Sequence, residues 1–266
     1  PDGKRLAFVR QPTRGTRQRG PYAEDAPDPW AIWVADAATL QAKEVWHSGT
    51  TLNDSLPRVA GENVLRWVTA RGNIDLLAFA SEQDGWLRFY AMDATGGGAD
   101  PFTPPGAEVE TACMTPDRRR VIFACNRQDI NRRSLWIGYP NNSASSAITP
   151  ADKIALAPVV TGNGQYIAYI SADERNPASL QMMRLNPMSE KEPSDVVSPN
   201  YKPPPPAPLV GANKPLASEL LPTIFPASKL VSPQAVSFKA ADGLNIHGQL
   251  FLPPNAKPGE KLPAIV

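Results

Sequence analysis

The sequence predicts an all-β fold, and three observations lead to this prediction. Apolar and polar residues alternate over short stretches rich in β-branched and aromatic side chains, as half-buried strands require. Polar turns that combine Asp or Asn with Gly or Pro separate these stretches, whereas helical periodicity is nearly absent. The turns also recur at an almost constant spacing, which indicates that the strands belong to a repeated unit.

The repeated unit is a polar turn that leads into an apolar strand. Copies of it occupy residues 1–9, 71–80, 115–124 and 161–170. Partner strands follow at residues 30–35, 87–92, 134–139 and 179–185. The step from Asp117 to Asn163 is 46 residues, and periods of about 40–50 residues with four short strands are typical of β-propeller blades. Residues 1–198 are therefore predicted to form a partial β-propeller of about four antiparallel blades, the first of them truncated.

The composition changes after residue 198. Residues 199–233 contain ten prolines, which fix φ and remove the amide donor, so this segment is predicted to be an extended connector rather than part of a sheet interior. Residues 234–266 alternate again around the turn pair Asp242-Gly243, which predicts a hairpin. A third strand is expected to begin at Pro263.

Charge and cysteine content narrow the classes of function. The chain has 266 residues and a formal charge of +1, so nothing favours binding to nucleic acid or to an anionic membrane surface. No apolar run is long enough to span a bilayer.

An antiparallel register through the turn at Asp117 places Cys113 opposite a residue near position 122, out of step with Cys125, so two buried free thiols are expected. The first residue is Pro1, and the natural N-terminus is expected to be missing, which leaves the compartment open between periplasmic or secreted and cytoplasmic.

Three segments resemble the prolyl oligopeptidase superfamily of serine peptidases, particularly its bacterial dipeptidyl-peptidase-IV-like members. They are the tail ADGLNIHGQLFLPP (241–254), SEQDGWLRFY (81–90) and QDINRRSLW (128–136). The resemblance implies that the chain is the second half of a seven- or eight-bladed propeller followed by the first strands of an α/β-hydrolase domain. It further implies a parent that cleaves short peptides by Ser-His-Asp acyl-enzyme chemistry. Its propeller would filter and anchor the substrate, and the full-length parent could form a homodimer.

Four side chains are candidates for contact with a peptide substrate: Glu82, Asp84, Arg132 and Arg133. The structural alternative is that Glu82 caps its turn, Trp86 packs between blades and the arginine pair binds a neighbouring acid such as Asp129. The run Arg118–Arg120 is expected to be a solvated turn.

The sequence supplies no catalytic residue of its own. It lacks the G-x-S-x-G elbow, and the Asp and His that follow it in such hydrolases, so the segment alone is predicted to be inactive. No histidine or cysteine pair has metal-ligand spacing, and neither a metal nor a cofactor is expected. Two other interpretations remain open, a TolB-like binding propeller without an enzyme and an inactive homologue of the peptidase. The predicted partners are a peptide substrate and the chain's own downstream hydrolase domain.

Overall fold

The computed structural model describes residues 3–12, 27–57, 64–70, 74–140, 143–186, 214–217, 221–257 and 259–265. These residues are almost entirely strands and turns, with 3-10 turns at Leu52–Asp54 and Ala227–Lys229. The prediction of an all-β fold with negligible helix is confirmed. Within the same residues, no helix is long and apolar enough to cross a membrane.

Four consecutive antiparallel sheets make up most of the described chain, one with three strands and three with four. Each sheet is built from strands in sequence order, as propeller blades are.

The first sheet contains β1 (Arg5–Arg10), β2 (Ala31–Asp36) and β3 (Ala42–His47). The second contains β4 (Leu65–Thr69), β5 (Asp75–Ser81), β6 (Arg88–Asp93) and β7 (Asp100–Pro101). The third contains β8 (Val109–Met114), β9 (Val121–Cys125), β10 (Ser134–Tyr139) and β11 (Ala144–Ala147). The fourth contains β12 (Ile154–Val160), β13 (Tyr166–Ala172), β14 (Ser179–Arg184) and β15 (Lys214–Pro215).

The repeated turn has the same hydrogen bonds in two sheets. Between β8 and β9, Thr115 Oγ1 donates to Asp117 Oδ1 at 2.5 Å, and the Thr115 N–H donates to the carbonyl oxygen of Arg120 at 2.9 Å. Between β12 and β13, equivalent bonds of 2.7 and 2.9 Å join Thr161, Asn163 and Tyr166. The 46-residue spacing seen in the sequence therefore corresponds to one repeat of the same turn in the structure.

The sheets stack face to face, with an apolar cluster between each neighbouring pair. On β5, Leu77 and Phe79 pack toward the first sheet, whereas Ala78 and Ala80 pack toward the third. All four are at most 4% exposed. Successive side chains of a strand point to opposite faces, so a strand between two layers must be apolar at every position. The continuous apolar run in β5 therefore identifies it as a central strand.

The cysteines follow the predicted register. Cys113 lies opposite Ile122, and both thiols are free. Cys125 is buried, but Cys113 is only half-buried, which corrects the prediction that both thiols are buried. Burial raises the pKa of each thiol to about 11, so neither is a reactive thiolate at neutral pH.

The connector contains one short strand pairing that the sequence does not indicate, and one expected strand of the tail is not formed. Lys214 and Pro215, within the predicted connector, pair with Met182 and Gln181 as the edge strand of the fourth sheet. A proline is tolerated there because an edge strand leaves its outer amide positions without partners. β16 (Gln234–Lys239) and β17 (Asn245–Leu250) form the predicted hairpin. A third strand is expected to begin at Pro263, but residues 263–265 pair with no described residue and form no strand.

Candidate functional site

Three strand connections lie at the same edge of the stacked sheets, since each follows the second strand of its four-stranded sheet. They join β5 to β6 (82–87), β9 to β10 (126–133) and β13 to β14 (173–178). Two hydrogen bonds link the first two connections through Glu108: the Leu87 N–H donates to Glu108 Oε2 at 3.0 Å, and the Glu108 N–H donates to Asn126 Oδ1 at 2.8 Å. We call this edge the candidate face. It carries all four residues predicted to contact a substrate, Glu82, Asp84, Arg132 and Arg133.

Asp84 is paired with a buried arginine beneath its turn. Arg88 Nη1 donates to Asp84 Oδ2, and Arg88 Nη2 donates to the carbonyl oxygen of Thr103, both at 2.5 Å. The Arg88 side chain is 8% exposed and its guanidinium lies 5.8 Å from the centre of the Tyr90 ring. The Asp84 carboxylate therefore neutralises a guanidinium that burial has removed from water.

A second group combines three glutamates with Arg133. Arg133 Nε donates to Glu110 Oε1 at 2.6 Å, and Arg133 Nη2 pairs with the same oxygen. Burial raises the pKa of Glu108, and the charges of Glu82 and Glu110 raise it further. The Leu87 N–H and Arg133 act in the opposite direction. Three carboxylates against one guanidinium leave the group net negative, so it can attract a cationic end of a ligand.

The third group connects the candidate face to the tail. Arg132 Nη1 donates to Asp129 Oδ2 at 2.6 Å. The Asn131 N–H and Arg132 together hold the pKa of the Asp129 carboxyl below its usual value. Arg132 is also close enough to Glu174 to stabilise its charge, and Glu174 Oε1 accepts a 2.6 Å hydrogen bond from Ser232 Oγ. The residues that lead into β16 thus meet the candidate face.

Several structural expectations for these residues need correction. Trp86 is 38% exposed and does not pack between blades, because the tight turn directs it outward. The Glu82 backbone carbonyl, and not its side chain, closes the turn by accepting from the Gly85 N–H at 2.7 Å. Asp129 does bind Arg132 as expected, but Arg133 binds Glu110. Both pairs stay within the third sheet and its connection 126–133, and neither ties two sheets together.

Four further residues of the candidate face were missed from the sequence. They are Glu108, Glu110, Glu174 and Ser232. Glu108 and Glu110 alternate with buried residues at the start of β8, a pattern that could have drawn attention to them. Nothing in the sequence marks Glu174 and Ser232, because they are 58 residues apart and only the fold brings them together. Among the described residues, no three His, Cys, Asp or Glu side chains lie close enough together to hold a metal ion.

The raised pKa of Glu108 leads to a prediction about stability. A carboxyl with a raised pKa in the folded state favours folding at low pH, and this contribution is lost as the carboxylate ionises. Glu108→Gln removes the charge and keeps an oxygen for the Leu87 N–H. We expect it to stabilise the chain at pH 7 by a few tenths of a kcal/mol, because the group is partly solvated. The gain should vanish near pH 4, measured by urea unfolding.

Glu110→Gln is the matched control, because it removes a carboxylate that is paired with Arg133. We expect it to destabilise the chain at pH 7. A Glu108→Gln variant that is less stable than the parent at pH 7 would contradict the account of Glu108.

Comparison with known proteins identifies the type of fold but does not identify a family. No protein-family model matches the sequence, and no curated protein is similar to it in sequence. TolB from Acinetobacter baumannii is 14% identical, with a TM-score of 0.38, over 69% of this chain and 39% of that one. A putative TolB from Agrobacterium tumefaciens is 15% identical, with a TM-score of 0.39, over 70% of this chain and 59% of that one.

A third solved structure is more similar in fold. Porphyromonas gingivalis dipeptidyl peptidase 4 is 13% identical, with a TM-score of 0.54, over 83% of this chain. This chain covers 27% of the length of that peptidase. Identity this low carries the fold and nothing finer. The chain has a β-propeller type of fold, built from the four stacked sheets described above.

Proposed function

We propose that this chain is the propeller part of a serine peptidase that cleaves short peptides in a dipeptidyl-peptidase-like manner. In this proposal residues 1–198 belong to the propeller, 199–233 form the connector and 234–266 open the α/β-hydrolase domain. The short edge strand β15 extends the propeller's pairing into the connector. The Ser, His and Asp that perform the chemistry lie outside this chain.

The observation that carries the proposal is the position and character of the tail hairpin. Phe238 and Ile246 are paired on one face of the hairpin, and Leu250 lies on the same face, with exposures of 58, 38 and 42%. The opposite face carries polar residues such as Ser237 and His247. A two-stranded hairpin with an exposed apolar face is not stable by itself, so a further layer is needed to cover it. A hydrolase domain that continues this sheet would provide that layer.

The connection through Ser232 supports a substrate site between the two parts. Because Ser232 binds Glu174, the chain enters β16 from the candidate face. A peptide held between the propeller and the hydrolase would therefore meet Glu82, Arg132 and Arg133. Their proposed role is to anchor the substrate's charged ends and carbonyl oxygens while the downstream serine attacks the scissile bond.

The test is activity with and without the sequence encoded downstream of residue 266. The 266-residue chain alone should hydrolyse no chromogenic dipeptide amide above buffer background and should not react with a fluorophosphonate probe. Without nucleophile and base, only binding effects remain, and these contribute far less than the complete site. The longer parent should regain both properties.

Two outcomes would overturn the proposal. One is a parent gene whose downstream sequence lacks G-x-S-x-G followed by Asp and His. The other is stoichiometric labelling of the 266-residue chain alone that is abolished by replacing one of its own serines.

A further inference from the structure

A cleft of about 570 Å³ lies between the third and fourth sheets, at the edge opposite the candidate face. Its walls are the two repeated turns, 115–120 and 161–165, together with the end of β14. These turns precede β9 and β13, whereas the connections of the candidate face follow them, so the two edges are a strand length apart, about 17 Å. The volume is within the range of sites for small organic ligands.

Arg120 on the wall of the cleft is a buried cation with too few partners. Its side chain is 7% exposed, which contradicts the expectation that the whole run Arg118–Arg120 is solvated. Arg120 Nη1 donates to the carbonyl oxygen of Asn186 at 2.7 Å, which draws the side chain in between the sheets. Arg120 Nη2 lies 3.9 Å from Asp117 Oδ2, beyond hydrogen-bond distance, and Nε has no partner among the described residues.

This arrangement is costly without a ligand. A guanidinium has five N–H donors, and a buried charge destabilises the fold unless it is paired and hydrogen-bonded. Asp117 supplies only a long ion pair, 3.9 Å between its Oδ2 and Arg120 Nη2, and its Oδ1 already accepts from Thr115 Oγ1 and the Arg119 N–H. Burial also lowers the pKa of Arg120, as expected for a cation short of compensating charge.

The rest of the cleft adds donors of the same kind. Arg184 lines the opening, is exposed, and makes no ion pair or side-chain hydrogen bond with another described residue. The side chains of Asn163 and Gln165 contribute amide groups. Two arginines face one aspartate across the lining, so the cleft has a net positive charge.

We propose that this cleft binds an organic carboxylate, with the carboxylate held between the guanidinium groups of Arg120 and Arg184. The planar fork of a guanidinium matches the two oxygens of a carboxylate. A cleft of this size has room for the organic part that follows the carboxylate. The ligand's source is either the C-terminus of a peptide or a free small acid. This site is separate from the proposed substrate face and does not depend on peptidase activity.

The test is calorimetric titration of the whole chain in a buffer free of carboxylates. The probes are N-acetyl-trialanine with a free carboxylate, the same peptide as its C-terminal amide, succinate and inorganic phosphate. We expect the free-carboxylate peptide or succinate to bind with a Kd of about 1 mM or tighter, and the amide to bind at least tenfold more weakly. Binding of the peptide alone would indicate a C-terminal source, and binding of succinate alone would indicate a free acid.

The variant Arg184→Gln tests the site without disturbing Arg120, which also links the two sheets. It should weaken carboxylate binding about tenfold or more, because one charge-assisted interaction is lost. Arg175→Gln is the control, since it makes the same change in charge on the opposite edge of the same sheet and should bind like the parent. The proposal fails if the peptide acid binds and its amide binds equally well, if only phosphate binds, if nothing binds at 10 times the expected Kd of about 1 mM, or if the two variants behave alike.

Discussion

Replacing Phe79 with alanine is expected to lower the free energy of unfolding by about 3–5 kcal/mol. Phe79 is fully buried, and its ring centre lies 4.5 Å from that of Trp46, 5.8 Å from that of Trp30 and 5.9 Å from that of Tyr90. These rings belong to the first and second sheets, so truncation leaves a cavity at the junction between two blades. Rigid aromatic neighbours on both sides cannot collapse into it. Urea unfolding followed by far-UV circular dichroism measures the loss.

The matched control is Phe238→Ala on the tail hairpin. It deletes the same atoms from a side chain that is 58% exposed, and we expect a change below about 1 kcal/mol. If the two substitutions cost the same, the first and second sheets do not pack through Phe79 as described.

The sequence was sufficient to predict the sheets because their determinants are local. A turn such as Thr115–Arg120 is closed by bonds among its own residues, and its copy 46 residues later again has a threonine hydroxyl bonded to the side-chain oxygen of an Asp or Asn two positions on. Alternation then distinguishes strands with one covered face from central strands such as β5, which is apolar at every position from Leu76 to Ala80. The register of Cys113 could be predicted for the same reason, since it is counted outward from a turn.

Contacts between sheets could not be predicted in this way. Arg120 belongs to a run of three arginines that is typical of a solvated turn, yet Asn186, 66 residues further along, draws it into the interior. Arg133 was singled out, but its partner Glu110 is separated from it by a complete hairpin. Local pattern marks a charged residue as a candidate. Only packing decides whether its charge is committed to the fold or remains available to a ligand.

Asp84 offers a test of whether a charge on the candidate face stabilises the fold or remains available to a ligand. We expect Asp84→Ala to destabilise the chain by about 1–3 kcal/mol, because it leaves Arg88 buried with only the Thr103 carbonyl oxygen as acceptor. The cost stays below that of breaking a fully buried pair, since the Asp84 side chain is 35% exposed and water can replace it in part. Asp84→Asn keeps an acceptor for Arg88 and should lose less. Urea unfolding at pH 7 provides the comparison.

A double-mutant cycle with Arg88→Met separates the pair from its surroundings. If Asp84 acts through Arg88, the double variant loses less stability than the sum of the single variants, with a coupling energy of about 1–2 kcal/mol. Glu82→Ala in the same turn removes a carboxylate that makes no hydrogen bond or ion pair with a described residue, and it should change stability by less than about 0.5 kcal/mol. Equal losses for Asp84→Ala and Glu82→Ala, or additive effects in the cycle, would mean that Asp84 does not stabilise Arg88. Asp84 would then be as available to a substrate as Glu82.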